Sequence, residues 1–333
     1  MILLPVDEAG GKLGLRGGSC ARDLLPAMSK TWAVSAWSLT VVAAASLPAY
    51  AGQADRAHER YALSAETRLI LVPVTVTDRN GRNALNLQQS QFRIFDNAEP
   101  REIVSYAREE APVTLGIVVD LSGSMERKLP HAVAAVRAVT DRLGSGDEGF
   151  LVAFSGHVEL RQDLTSDLAS FAHALQFERG HGSTALIDAV YMGLEKAMRR
   201  PGRRKAILVI SDGGDNASRY REPELLSLAR EAGTQIYAIS IHENAMNKEE
   251  REGMFLLDDL AKTTGGLHLT ARNKLELPEL AGRIAQAMKN VYVIGYRPPK
   301  SEPGRWRQIR VVLTDDVKKS MRVTARSGYY SPE

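Results

Sequence analysis

Cysteine is almost absent from this chain: Cys20 is the only one among 333 residues. A disulfide within the chain is therefore impossible, and so is a zinc site built from cysteines. Export compartments permit disulfides without requiring them, so this scarcity says nothing about location. Also missing is any concentrated block of lysine or arginine, and the formal net charge is only +3. Nucleic-acid surfaces need a basic stripe, so a dedicated one is excluded. There is no internal repeat and no long low-complexity run. What remains is ordinary globular composition, 44% hydrophobic and 25% charged, in a chain long enough for about two domains.

An uncharged run, TWAVSAWSLTVVAAASL at 31–47, follows Lys30 and precedes Ala49-Tyr50-Ala51. That is the apolar core and small-x-small cleavage pattern of a secretory signal peptide. An uncleaved membrane anchor is the competing reading, but the run is short for a spanning helix. Signal peptides begin just before their apolar run, so Met28 is the expected true start and residues 1–51 the expected leader. The expected location is periplasmic or secreted, with a membrane link only through that leader if it is retained. Residues 52–66 are polar and read as a linker.

Three β-type segments follow, at 68–77, 92–95 and 103–106, with turn residues between them. So few short strands cannot close a core alone. From Pro112 the pattern changes. Buried-type strands at 113–119, 150–154, 205–211 and 235–241 alternate with helical periodicities at 130–143, 184–198, 223–232, 255–263 and 277–287. A short helix through Leu175 and an edge strand at 267–269 complete this region. The alternation predicts a doubly wound, mostly parallel sheet with its strand C-termini on one edge. After Lys289 the pattern returns to β, at 291–296, 306–313 and 321–325. We therefore expect an α/β domain at 112–290 inserted into a small β-sandwich built from both flanks, 67–111 and 291–333.

Chemistry concentrates at Asp120-Leu121-Ser122-Gly123-Ser124, at the end of the first buried strand. The D-x-S-x-S spacing lets one tight loop aim a carboxylate and two hydroxyls at a single point. Thr184, at a helix start, and Asp212, after the strand at 205–211, fall on the same sheet edge. Hard cations such as Mg²⁺ take such oxygen donors and usually keep some water. Few carboxylates leave the ion electrophilic toward an outside acid. Each signal alone is weak; an Asp after a strand is often only a helix cap.

Together, VVDLSGSM, GHGSTALIDAV and LVISDGGDN resemble a von Willebrand factor type A (VWA) domain and its metal-ion-dependent adhesion site over about residues 112–290. The flanking LVPVTVTDRNGR, REEAPVTLGIVVDLSGSM and RSGYYSP segments resemble a bacterial subgroup of that family, less specifically. The resemblance implies that Asp120, Ser122, Ser124, Thr184 and Asp212 hold Mg²⁺, with Mn²⁺ or Ca²⁺ as alternatives. It also implies a protein partner whose Asp or Glu completes the coordination.

Enzymatic readings fare worse. A dehalogenase-type phosphatase needs a second carboxylate two residues after the first, for proton transfer; Ser122 stands there. The Gly182-Ser183-Thr184-Ala185 turn lacks the P-loop lysine, Gly123 stands without the other dinucleotide-binding glycines, and no G-x-S-x-G elbow occurs. Binding is expected rather than catalysis, with no catalytic residue assigned. A non-catalytic envelope scaffold with a structural metal and a metal-dependent hydrolase are the alternatives. His181 reads as a solvated loop residue, Asp215 as a cap, Trp306 as packing between flanking strands, and 249–252 (EERE) as a solvated helix face.

Overall fold

In a computed structural model, residues 69–332 are described, apart from 80, 110, 243, 244 and 319. The leader, its cleavage site and the linker lie outside the described residues. Eight of the nine residues of β1 (Ile70–Asp78) are apolar or β-branched, and β2 (Phe92–Asp96) alternates buried with more exposed positions. A tight turn at Asn97 and Ala98, both with positive φ, returns the chain into β3 (Glu99–Arg101). Next comes β4 (Ile103–Glu109), which leads into the α/β region.

That region runs β5 (Val113–Asp120), α1 (Leu129–Thr140), β6 (Glu148–Phe154), β7 (Val158–Thr165), α2 (Ser170–Leu175), α3 (Leu186–Met198), β8 (Arg204–Ser211), α4 (Glu222–Glu231), β9 (Gln235–Ile241), α5 (Lys248–Thr264), β10 (His268–Ala271) and α6 (Leu277–Lys289). The sheet order is β10-β9-β8-β5-β6-β7. All its neighbours are parallel except β7, which is antiparallel to β6.

Every residue of β5 is buried because its two faces meet two different helix layers. Leu115, Ile117 and Val119 pack with α1 and α6; Val118 packs with α3 and the Phe150 face. Gly116 belongs to the second face, where a Cβ would stand 2.4 Å from the Phe150 ring. The missing side chain leaves the room that Phe150 of β6 and Ile207 of β8 fill on that face.

The chain then forms β11 (Val291–Tyr296), β12 (Trp306–Leu313), a short helix α7 (Asp315–Lys318), β13 (Met321–Ala325) and β14 (Gly328–Tyr330). These strands pair with the N-terminal ones in two four-stranded antiparallel sheets, ordered β13-β1-β11-β4 and β14-β12-β2-β3. Val72, Val74, Val76, Phe92, Ile94, Ile294, Ile309 and Val311 fill the space between them. Neither flank could bury these residues alone, so the expected sandwich forms from both ends of the chain. β4 leads into the α/β region and β11 leads out of it, and the two are hydrogen-bonded neighbours, with Glu109 opposite Val291.

The neck is held by Asp147, which is 3% exposed. Its carboxylate accepts from Val113 N (2.8 Å), Gly144 N (2.7 Å) and Lys289 Nζ (2.7 Å). One side chain thus joins the first residue of β5 to the last of α6.

The structure adds elements that periodicity did not predict. β7 is an edge strand with no fully buried residue, and its apolar alternation (Val158, Leu160, Leu164) is broken at Gln162. Helix α5 begins seven residues before the expected 255, because Asn247 and Glu250 form a reciprocal capping box. β3, α7 and β14 are short pieces that lean on sandwich neighbours. Among the described residues, no helix is long and apolar enough to cross a membrane.

Candidate metal centre

At the end of β5 the chain leaves the sheet abruptly. Leu121 N donates to Phe154 O, Ser122 is extended, and Gly123–Met125 forms a 3-10 turn. Met125 anchors that turn, fully buried in the core beneath it. Pinned below by an apolar side chain, the loop brings the Ser122 and Ser124 hydroxyls to 3.1 Å. Asp120 Oδ1 accepts from Ser122 N at 2.8 Å, which holds the carboxylate inside the turn.

The second carboxylate comes from the strand beside it. β5 leads toward β6, whereas β8, its other neighbour, leads toward β9. Chains leaving two adjacent parallel strands in opposite directions open a crevice, the usual ligand position in such sheets. Asp120 ends one strand and Asp212 directly follows the other. Ser211 links them: its Oγ donates to Asp120 Oδ2 (2.6 Å) and accepts from Gly213 N (2.9 Å). Asp212 Oδ2 accepts from Lys128 Nζ at 2.8 Å.

Main chain ties Thr184 to this group. Gly123 N donates to Gly182 O (3.2 Å), and His181 N donates to Leu121 O (2.8 Å). On its other side, Thr184 N donates to Asn216 Oδ1 (2.9 Å), and Thr184 O accepts from Asn216 N and Ala217 N. The Thr184 loop is therefore hydrogen-bonded to both carboxylate-bearing loops.

Burial gives the site one open side. Asp120 is 0%, Ser122 1%, Asp212 2% and Thr184 5% exposed, whereas Ser124 is exposed. Burial pushes the Asp120 carboxyl up to about 6, and the charge of Asp212 adds to the rise; hydrogen bonds from Ser122 and Ser211 partly offset it. Two buried carboxylates with three hydroxyl-bearing neighbours form a set that a divalent cation would relieve electrostatically. Among the described residues there is no group of three or more His, Cys, Asp or Glu arranged to hold a metal. The available donors are hydroxyl and carboxylate oxygens, which fit a hard, oxygen-seeking ion.

Three residues of this arrangement were not singled out from sequence. Ser211 and Asn216 flank Asp212 in ISDGGDN, where any polar residue reads as turn chemistry. Lys128 lies eight positions after Asp120, and nothing in its neighbourhood links it to a residue 84 positions away. The bland readings fit well. His181 is exposed, and 249–252 lie in the first turns of α5, mostly solvated. Asp215 accepts from Ser218 Oγ and also from Ile187 N, capping the first turn of α3. Trp306 packs edge-on against Tyr330 on β14, with Arg230 over its ring.

A mostly parallel, doubly wound sheet with polar donors at its switch point is an open α/β architecture, in which the switch point is the usual place for a ligand. Residues 115–214 match the family model of the von Willebrand factor type A domain. No curated protein matches the chain. Similar solved structures include a conserved hypothetical protein BatB from Bacteroides thetaiotaomicron (19% identity, 54% of this chain and 100% of that one, TM-score 0.42). Another is a von Willebrand factor type A protein from Catenulispora acidiphila (14% identity, 75% of this chain and 76% of that one, TM-score 0.48). A third is proximal thread matrix protein 1 from the mussel byssus, described with a zinc-occupied MIDAS motif (20% identity, 59% of this chain and 50% of that one, TM-score 0.44).

Proposed function

We propose that this chain binds another protein through a divalent metal ion held by Asp120, Ser122, Ser124, Thr184 and Asp212, with the partner contributing an Asp or Glu. The observation that carries this reading is the asymmetry of the site. Four of its five donor residues are buried at the switch point, and the fifth, Ser124, faces solvent. Oxygen donors on one side and an open approach on the other suit an ion that shares its coordination with an outside ligand. When bound, the ion would supply a strong electrostatic attraction for a carboxylate. Asp120 and Asp212 would provide the charge, and the hydroxyls would complete the set without neutralising it. Mg²⁺ is the proposed ion, with Mn²⁺ or Ca²⁺ as alternatives.

Binding is favoured over hydrolysis by Ser122. A dehalogenase-type hydrolytic site would need a second carboxylate where that hydroxyl stands, and a serine hydrogen-bonded to Ser124 cannot serve in that role. We assign the α/β domain to 112–290 and the sandwich to 67–111 with 291–333. The signal-peptide pattern at 31–51 supports an exported protein, periplasmic or secreted.

Calorimetric titration of the purified chain with Mg²⁺ and Mn²⁺ tests the site. One bound ion per chain is expected, and its loss in the double variant Asp120→Ala, Asp212→Ala. Undiminished binding in that folded variant refutes the assignment. Partner retention with Mg²⁺ against EDTA then separates adhesion through the ion from a scaffold in which the metal is only structural.

A further inference from the structure

Lys128 stands at a position that helix electrostatics disfavour. It directly precedes Leu129, the first residue of α1, so its charge sits at the positive end of that helix dipole. The compensation is Asp212: Lys128 Nζ lies 2.8 Å from Asp212 Oδ2, and the two side chains are 13% and 3% exposed. This pair is largely shielded from solvent, so water screens it far less than a surface ion pair. Both backbone ends of the lysine are also held. Lys128 N donates to Met125 O, and Lys128 O accepts from His131 N and Ala132 N.

The other cationic neighbours differ in kind. Arg127 is exposed, and His242, across the same pocket, is held toward its neutral form by burial, which outweighs the charges of Glu250 and Asp212. Glu250, the acidic wall of that pocket, is engaged in the α5 capping box with Asn247. Among the described residues, Lys128 is thus the cation paired with Asp212. The pocket itself, about 220 Å³, is lined by Ser124, Arg127, Lys128 and His242, and so opens on the exposed hydroxyl of the site.

We propose that Lys128 is a positioning residue that sets the cation affinity and the net charge of this centre by occupying Asp212 as a resident counter-ion. The inference rests on the metal-binding reading above. Asp120 and Asp212 carry two negative charges when ionised, and Lys128 reduces their sum to one. A divalent cation then converts the centre to net positive rather than neutral. Lys128 therefore weakens the hold on the ion and strengthens the attraction of the loaded centre for an anionic ligand. Lys128 also lines the pocket beside Ser124, on the side from which an incoming carboxylate would approach. An ordinary structural ion pair would have neither consequence.

The test uses the full chain, with Mn²⁺ as probe, titrated calorimetrically at fixed pH and ionic strength. Lys128→Met should bind Mn²⁺ at least tenfold more tightly than the unmodified chain, and Lys128→Arg should stay within about threefold of it. Without divalent ion, Lys128→Met should melt at lower temperature, and Mn²⁺ should raise its Tm by more than it raises that of the unmodified chain. If Lys128→Met fails to fold, Lys128→Gln replaces it with the same expectations. Equal or weaker Mn²⁺ binding by the folded neutral variant, with the unmodified chain binding normally, overturns the proposal. Mn²⁺ binding by neither protein overturns the metal reading itself and this inference with it. Binding gained only in the variant supports the inference most directly.

Discussion

The backbones of Gly213 and Gly253 touch: a Cβ on Gly253 would stand 1.2 Å from the Gly213 carbonyl oxygen. Gly213 follows Asp212, and Gly253 lies on the buried side of α5, so the helix rests directly on the loop that aims the second carboxylate. At its other end, α5 stops at Gly265, where a Cβ would meet Arg326 N at 2.5 Å, and Ser327 N donates to Thr263 O. One helix therefore spans from the candidate metal loop to the β-sandwich.

Gly253→Ala should displace the Asp212 loop. The expected cost is roughly 1–3 kcal/mol of stability from overpacking, because only backbone atoms are available to move. Divalent-ion affinity should fall as well, by tenfold or more in a Mn²⁺ titration. Gly214→Ala is the control: no atom lies within 4 Å of its Cβ position, so Tm and affinity should both hold. A Gly253→Ala protein with unchanged affinity would show that the loop tolerates the shift.

Asp120→Asn should stabilise the fold in chelator at neutral pH. The folded carboxyl titrates near 6, against an unfolded value of 3.8, so folding takes up a proton between those values. Stability from this group is full below about pH 4, falls as pH rises to about 6, and then stays low. The penalty is of order 2–3 kcal/mol. Urea melts from pH 4 to 7 should show this decline in the unmodified chain and not in Asp120→Asn. The same variant should bind Mn²⁺ poorly, so stability and ion binding would move in opposite directions.

Asp147→Ala should loosen the neck between the two parts of the molecule. It removes the acceptor for Val113 N, Gly144 N and Lys289 Nζ together, at a cost of about 3 kcal/mol. Burial alone would raise this carboxyl, but Lys289 and the two amides outweigh it and hold it below its usual range. A depressed carboxyl contributes stability above its unfolded pKa and loses it as pH falls through the folded value. The unmodified chain should therefore lose this contribution below about pH 4. Asp147→Ala should flatten that part of the stability profile, as measured by thermal melts.

Asp96→Ala should destabilise the sandwich from its centre. Asp96 is fully buried and accepts from Tyr296 Oη (2.9 Å), Tyr329 Oη (2.9 Å) and Arg307 Nε (2.7 Å). Removing it leaves a largely buried guanidinium unpaired, at about 3 kcal/mol or more. Tyr329→Phe should cost only about 1 kcal/mol. A double-mutant cycle between the two sites should show non-additivity, because they share one network.

Much of this organisation was legible in sequence, and the reason is local. Buried parallel strands read as unbroken apolar runs, and VTLGIVV and KAILVIS need no partner to be recognised. The D-x-S-x-S loop announces itself because its three donors sit within five residues. β7 was not legible: in VELRQDLT only Val158 and Leu164 pack on the core, and both are only partly buried. The start of α5 was legible in Asn247 and Glu250, but apolar periodicity begins later and placed it at 255.

The sequence by itself determined the two strand ends, the hydroxyl loop and the polar character of the site, all of which follow from residues within a few positions of one another. It also implied that the flanks must meet, because neither could bury its apolar face alone. Tertiary structure alone decided which charge faces Asp212, which glycine supports its loop, and which carboxylate closes the neck. Lys128 and Asp212, Gly213 and Gly253, and Asp147 and Lys289 are joined by distance in space. Their pairing follows from strand order and helix placement, which periodicity in the chain does not encode.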